Sequence, residues 1–293
     1  MTPRDGSDAH DNRWSDLDRP PLGAAGLRRS LLRGEGLWSS LDVVPRTGST
    51  NTDLVARAAD GTAQEGAVLV AEEQSAGRGR LDRQWTAPPR SGLFFSVLVM
   101  PGEHEVPVER RGWLPLLTGV AVASALSATA GVDTALKWPN DILVTVGGEE
   151  RKAGGILAEA AGGGVVVGVG LNVSLREEEL PVPGAGSLAL AGAKVLDREP
   201  VLRAVLRSFE RWYSEWCAAE GDPGLSRVQE AYAAGCATLG RSVRAILPGD
   251  RDVVGEAVAV DGDGRLVIVT ADGAREAVGA GDIVHLRPGP PAG

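Results

Sequence analysis

Apolar residues recur along this chain with two different periods. Between residues 41 and 100 they form short solid blocks: LDVVP at 41–45, AVLVAEE at 67–73 and GLFFSVLVM at 92–100. Blocks of this length, rich in Val, Leu and Phe, predict strands, the last of them long and buried. TALKWPNDILV at 134–144 predicts two short strands bent at Pro139-Asn140. RKAGGILAEA at 151–160 and GGVVVGVGLNVSL at 163–175 predict a strand pair joined by AGGG. Helical spacing appears elsewhere. Leucines from Leu27 to Leu41 suggest one short amphipathic helix. Ser49 or Thr50 can cap a helix running through Asn51–Ala59. Residues 113–130 and 198–219 predict longer helices, and 224–235 a short one.

After Gly240 the texture changes. SVRAIL, VVGEAVAV, GRLVIVT and DIVHLR are short β runs, and Asp-Gly-Asp-Gly at 261–264 marks a hairpin turn. This predicts a small antiparallel barrel of about fifty residues. At the other end, residues 1–24 are polar, charged and punctuated by Pro20 and Pro21, which predicts a disordered tail. The expected organisation is therefore a tail (1–24), a main domain with a mixed sheet packed by helices (25–236, α/β or α+β class), and a small β-barrel (238–290).

Composition narrows the function classes. The 293 residues carry a formal charge of −9, which argues against broad, non-specific DNA binding. Cys217 and Cys236 lack zinc-site spacing and read as free thiols in a reducing cytosol. The N-terminus has no apolar core and is not a secretory signal. The uncharged run Gly112–Val132 is long enough to span a bilayer, but it is mostly Ala, Gly, Ser and Thr with Pro115 inside. A helix packed inside a soluble, cytoplasmic, non-membrane protein is the better reading.

Against this acidic background, AEEQSAGRGRLDRQW at 71–85 places Arg78, Arg80 and Arg83 within six positions, interrupted by glycines and closed by Trp85. Arginine forks pair with phosphate or carboxylate, and the glycines let a loop move and approach a ligand. An anionic ligand is implied, most simply a nucleotide. Taken alone, the segment equally suits a solvated loop paired to the acidic body. KWPND at 137–141 sets a cation, a rigid bend, an amide and a carboxylate within five residues, so Lys137 and Asp141 can face one site. Its bland reading is a β-turn with an exposed charge pair. Lys152 begins a small-residue strand and can reach a cleft as a point charge, or simply face water. GVGLN at 168–172 invites a dinucleotide reading, but position 173 is Val and no helix follows, so a Rossmann site is rejected. Glycines on which a ligand can lie, with Asn172 to read a base edge, fit better. TGSTN at 47–51 is a helix cap that also offers polar side chains and free N–H groups.

Each motif is weak singly, but their set and order resemble the biotin protein ligases across about residues 41–175. The β-rich end from about 240 resembles that family's small C-terminal barrel. The resemblance implies a ligase core of the class II aminoacyl-tRNA synthetase kind with an SH3-like barrel. It implies ATP-dependent formation of biotinyl-5′-AMP, with Mg²⁺, and transfer of biotin to a lysine of a biotin carboxyl carrier domain of an acyl-CoA or pyruvate carboxylase. By matching position, it implies that Ser49, Thr50, Asn51 and Gln74 hold biotin's ureido ring. Arg78, Gly79 and Arg80 then form a lid over biotin and the acyl phosphate, with Arg83 near the phosphates. Lys152 touches the biotin carboxylate and stabilises the transition state, with Asp141 orienting it or assisting the carrier lysine. Gly155 and Gly168 complete the biotin site, and Lys137, Asn140, Gly170 and Asn172 the nucleotide side, with Trp85 either a wall of the nucleotide pocket or equally a core anchor. Leu81-Asp82 departs from the basic or Gly residues that family members often carry there and sets an acid near phosphates. Residues 1–40 cannot supply the helix-turn-helix of the bifunctional members, so no DNA partner is expected. A homodimer through a sheet edge is open. The rival readings are a lipoate–protein ligase, a non-catalytic biotin sensor and a transcriptional regulator. Polar Ser49, Thr50, Asn51 and Gln74 favour a ureido ring over apolar lipoate. The presence of Lys152 and the lid arginines favours an enzyme.

Overall fold

The computed structural model describes residues 19–32, 34, 36–81, 83–247, 249 and 251–286. The chain opens with α1 (Ala24–Leu31), β1 (Ser40–Val44), α2 (Thr50–Ala59) and β2 (Ala67–Ala71). A two-stranded ribbon, β3 (Gly77–Arg78) and β4 (Gln84–Trp85), precedes β5 (Gly92–Val99). Then come α3 (Trp113–Ala130), β6 (Thr134–Lys137), β7 (Asp141–Val146), β8 (Glu149–Ala161), β9 (Gly164–Asn172), α4 (Arg198–Ala218) and α5 (Val228–Gly235). Five strands finish it: β10 (Ser242–Leu247), β11 (Arg251–Val260), β12 (Leu266–Thr270), β13 (Arg275–Val278) and β14 (Asp282–His285).

The main sheet has seven strands in the order β1-β2-β5-β9-β8-β7-β6. Only β1 and β2 run parallel; the other neighbours are antiparallel, so the sheet is mixed. Its central strands are hydrophobic on both faces because both faces are covered. Strand alternation divides their residues between two cores. Val97, Val99, Val165 and Val167 join the large core with α3 and α4, while Leu98, Val166 and Ala67 pack under Leu54 and Ala58 of α2. The α3 stretch, Val108–Ala130, is long and apolar enough to cross a membrane, yet lies mostly buried in the large core. Cys217 and Cys236 are free and buried.

Several expectations need correction. The first helix ends at Leu31 rather than Leu41, and the chain turns so that Trp38 is buried beside Phe209. The helix expected from 224 begins at Val228, after a turn held by Asp222 Oδ1 accepting from the N–H groups of Gly224 and Leu225. Residues 1–18 of the expected tail lie outside the described residues. Residues 19–24 are packed: Arg19 pairs with Glu179 at 2.5 Å, and Leu22 is buried. A buried ion pair explains this. Arg198 Nη1 lies 2.6 Å from Glu72 Oε2, while Arg198 Nη2 donates to Pro20 O and Leu22 N donates to Glu72 Oε1.

The small domain is one antiparallel sheet, in the order β13-β12-β11-β10-β14. Its inward residues Val243, Ala245, Val253, Ala257, Leu266, Ile268 and Ile283 are buried. Two tryptophans fasten it to the main domain. Trp113 Nε1 donates to Gly262 O and Trp138 Nε1 to Gly264 O, so the 261–264 hairpin is an anchor. A second junction is polar. Trp138 N donates to Thr238 Oγ1, which His285 Nε2 approaches at 3.1 Å, and Arg241 contacts His285 Nδ1 at 3.2 Å. Arg241 also holds Glu150 through both carboxylate oxygens.

Two stability predictions follow from these junctions. Arg198→Ala leaves Glu72 buried without its cation and should cost about 3–5 kcal/mol in urea unfolding. Burial, then Lys137 and Arg241, depresses the His285 pKa to about 4. The folded state thus keeps the ring neutral while the unfolded state binds a proton below about 6.5. Stability should therefore fall as pH drops from about 6.5 to about 4. His285→Gln should flatten that part of a thermal-midpoint titration.

Candidate active site

The site face of the sheet is set by register. Ser96 on β5 pairs with Gly168 on β9, which pairs with Leu157 on β8; Phe94 pairs with Gly170, which pairs with Gly155. Directly opposed residues share a face. Gly155, Gly168 and Gly170 thus form a strip of floor without side chains. On β7, Asp141 stands opposite Gly155. Beyond that pair the register slips by one residue at Ala153, a β-bulge. The bulge turns Lys152 onto the face of Asp141, and its Nζ lies 2.6 Å from Asp141 Oδ1.

The bare floor is used. The Trp85 indole lies against Gly155 and Gly170: a Cβ at Gly170 would come within 2.8 Å of the ring. Lys152 Nζ stands 5.7 Å from the Trp85 ring centroid, within cation–π range. At Gly168 a Cβ would overlap Asn51 Oδ1.

The start of α2 supplies the polar end. Ser49 Oγ accepts from Thr52 N, so it is a helix cap as well as a cleft residue. Gln74 Oε1 accepts from Thr50 N at 2.8 Å and Thr50 Oγ1 at 3.2 Å. That fixes the amide and leaves its NH₂ as a donor. Asn51 Nδ2 donates to Leu157 O and Glu159 Oε2, and its Oδ1 lies 2.6 Å from Ser96 Oγ. Asn51 therefore retains a single acceptor lone pair.

The arginine segment folds over this floor. Arg78 pairs with Glu159 at 3.0 Å. Arg80 donates to Asn140 Oδ1 and to Gly281 O, and Arg83 pairs with Asp282. Burial lowers the Arg80 pKa, with Asp282 and Asp141 opposing that shift. The turn is closed by Gly79 N donating to Arg83 O, and Leu81 adopts φ 54°, in the left-handed region. Asp82 lies outside the described residues. On the turn of KWPND, Asn140 Nδ2 donates to Ile156 O, which ties the turn to β8.

All the candidate residues converge on one cleft of about 810 Å³. Its lining includes Ser49, Thr50, Asn51, Gln74, Arg78, Gly79, Arg80, Arg83, Trp85, Lys137, Asn140, Asp141, Lys152, Gly155, Gly168, Gly170 and Asn172. Two buried polar atoms in it have no protein partner, Trp85 Nε1 and Asn172 Oδ1. A donor and an acceptor left this way suit a ligand edge. A second cleft of about 590 Å³, between Leu22, Pro45 and Pro88, gathers none of the candidate site residues.

Sequence reasoning missed four participants. Ser96 is a lone hydroxyl in an apolar strand. Glu159 follows Gly155 and Leu157 at period two on the site face, a spacing that marks it. Asp282 and Gly281 come from the small domain, and only the fold brings them to the arginines.

Residues 43–175 match the biotin/lipoate A/B protein ligase family, and residues 238–286 match the biotin protein ligase C-terminal domain. The chain belongs to the biotin protein ligase family. It is 44% identical over 275 residues to the biotin–[acetyl-CoA-carboxylase] ligase of Mycobacterium tuberculosis, covering 93% of this chain and 98% of that one. It is 32% identical to the bifunctional ligase/repressor BirA of Bacillus subtilis, over 80% of this chain and 70% of that protein. The fold is similar to a biotin protein ligase from Aquifex aeolicus in complex with biotin and ATP, with TM-score 0.68, 27% identity, and coverage of 86% and 100%. Among the described residues, 19–39 hold one short helix and no helix-turn-helix.

One structural prediction follows. Gly168→Ala should push Asn51 off Ser96 and cost about 1–3 kcal/mol through the broken buried contacts, read as a lowered thermal midpoint.

Proposed function

We propose that the chain condenses biotin with ATP to biotinyl-5′-AMP and passes the biotinyl group to a lysine of a carboxylase carrier domain. The observation that carries this reading is the Lys152–Asp141 pair, held 2.6 Å apart over a glycine floor and flanked by the lid arginines in one cleft. The family membership supports it.

In the first step a biotin carboxylate oxygen attacks the α-phosphorus of ATP and pyrophosphate leaves. Both reactants are anions, so fixed cations lower the barrier. Lys152 sits where it can contact carboxylate and phosphate together, with Asp141 holding its position. Arg80 and Arg83 face the phosphate side. The ureido ring fits the α2 start, where Gln74 offers its NH₂ to the ring carbonyl and Asn51 its remaining lone pair to a ring N–H. The adenine fits Trp85 and Asn172, whose unpartnered Nε1–H and Oδ1 suit a base edge.

In the second step the carrier lysine amine attacks the acyl carbonyl. AMP leaves, and the amine loses a proton, which the Asp141 carboxylate can accept. Closure of the arginine segment keeps water from the mixed anhydride meanwhile.

Mg²⁺ enters as the ATP–Mg²⁺ substrate. Among the described residues no three His, Cys, Asp or Glu side chains converge as a metal site. The nearby carboxylates Asp141, Asp282 and Glu159 are each paired with a cation. Magnesium that arrives on phosphates needs few protein ligands, so no residue is assigned to it.

The test is to incubate the protein with ATP–Mg²⁺, an apo biotin-carrier domain, and either biotin or lipoate. Intact mass of the carrier should rise by one biotinyl group on one lysine, with no lipoyl gain. No biotin gain, or an equal lipoyl gain, contradicts the proposal. Two substitutions probe the roles. Lys152→Ala should lower the adenylation rate by at least about a hundredfold, in the range for a lost transition-state donor, with biotin affinity by calorimetry changed far less. Arg80→Ala should release biotinyl-5′-AMP to solvent faster than the parent enzyme does.

A further inference from the structure

We infer that Glu159 is a positioning residue that couples the biotin end of the cleft to the arginine lid. This rests on the function proposed above. Glu159 does not line the cleft; it stands one β-pleat beyond Leu157, which does. Its two oxygens are claimed by two parts of the site. Oε2 accepts from Asn51 Nδ2 at 2.8 Å, and Oε1 pairs with Arg78 Nη1 at 3.0 Å. One carboxylate thus holds the first turn of α2 and the lid ribbon β3 to the same strand.

The two ties do different things. Asn51 is buried, and its amide orientation depends on both acceptors on β8, Leu157 O and Glu159. With its NH₂ spent there, its oxygen is turned toward Ser96 and the ligand. Without Glu159, one N–H of a buried amide loses its acceptor and the rotation that presents the oxygen is weakened.

Arg78 is half-exposed. A guanidinium carries five N–H donors, so anchoring Nη1 on Glu159 leaves others for an acyl phosphate. Among the described residues, the other lid arginines are tied to the KWPND turn and the small domain: Arg80 to Asn140 and Gly281, Arg83 to Asp282. Arg78–Glu159 joins the lid to the central sheet, beside the biotin end. A filled biotin site and a closed lid then favour each other through one side chain.

Glu159→Gln separates the two roles. A glutamine has one acceptor oxygen and one NH₂. Presenting NH₂ to the buried Asn51 NH₂ would set donor against donor, whereas exposed Arg78 can swing to water. The oxygen therefore faces Asn51, and the arginine tie is lost. Glu159→Ala removes both.

The experiment measures the biotin KM for adenylation and the rate of biotinyl-5′-AMP release without carrier. The proteins are the parent enzyme, E159Q, E159A, R78A and the R78A/E159Q double variant, with thermal midpoints to confirm folding. E159Q should release adenylate about fivefold faster, as expected for a partly exposed ion pair, with biotin KM within about twofold. E159A should also raise biotin KM about tenfold, the effect of losing a hydrogen bond to a charged group. The double variant should release adenylate no faster than R78A. If E159A fails to fold, E159Q and the cycle with R78A decide alone. Release by E159Q equal to that of the parent, or effects that add in the double variant, overturn the inference. A parent enzyme that makes no biotinyl-5′-AMP overturns the proposed function instead.

Discussion

The site depends on one constraint: the middle of the sheet must be bare on one face. Gly155, Gly168 and Gly170 meet that requirement on two neighbouring strands. A methyl at Gly168 would collide with Asn51, and one at Gly170 would crowd Trp85. Because β8 and β9 pair in fixed register, the bare strip lies between the polar start of α2 and the Lys152–Asp141 pair. A flat ligand with a polar ring at one end and an acid at the other fits that span.

Around the floor, charge is placed by local geometry rather than by deep burial. The bulge at Ala153 turns Lys152 inward, onto the same face as Asp141 at the end of the KWPND turn. The arginines come from a short ribbon whose anchors lie in three places: Glu159 on the sheet, Asn140 on the turn, and Gly281 and Asp282 on the small domain. The small domain is therefore tied to the arginine segment. It is itself held by Trp113 and Trp138, and Trp138 belongs to the same KWPND turn that supplies Asp141.

Much of this was legible in the sequence because it rests on short-range rules. Solid apolar blocks predicted β2 and β5, and a Ser-Thr-Asn cap predicted α2. The arginine-glycine segment and KWPND stood out as unusual residue sets, and Gln74, Arg78, Arg80, Arg83 and Trp85 of the first line one cleft with all five residues of the second. What escaped was long-range. Leucine spacing from Leu27 to Leu41 suggested one helix, but burial of Trp38 beside Phe209 draws the chain off after Leu31. Residues 19–24 looked like tail, yet the buried Arg198–Glu72 pair, 126 positions apart, fixes them. Asp282 meets Arg83 only because the small domain folds back onto the cleft.

The most direct test of the account is a crystal structure with biotinyl-5′-AMP bound. The account predicts the ureido ring at Ser49, Thr50 and Gln74, and the acyl-phosphate link within hydrogen-bond reach of Lys152 and the lid arginines. The adenine should lie at Trp85 and Asn172, with Arg78 still on Glu159. An adenylate bound with Lys152 out of reach of the acyl-phosphate link, or with its adenine away from Trp85 and Asn172, would contradict it.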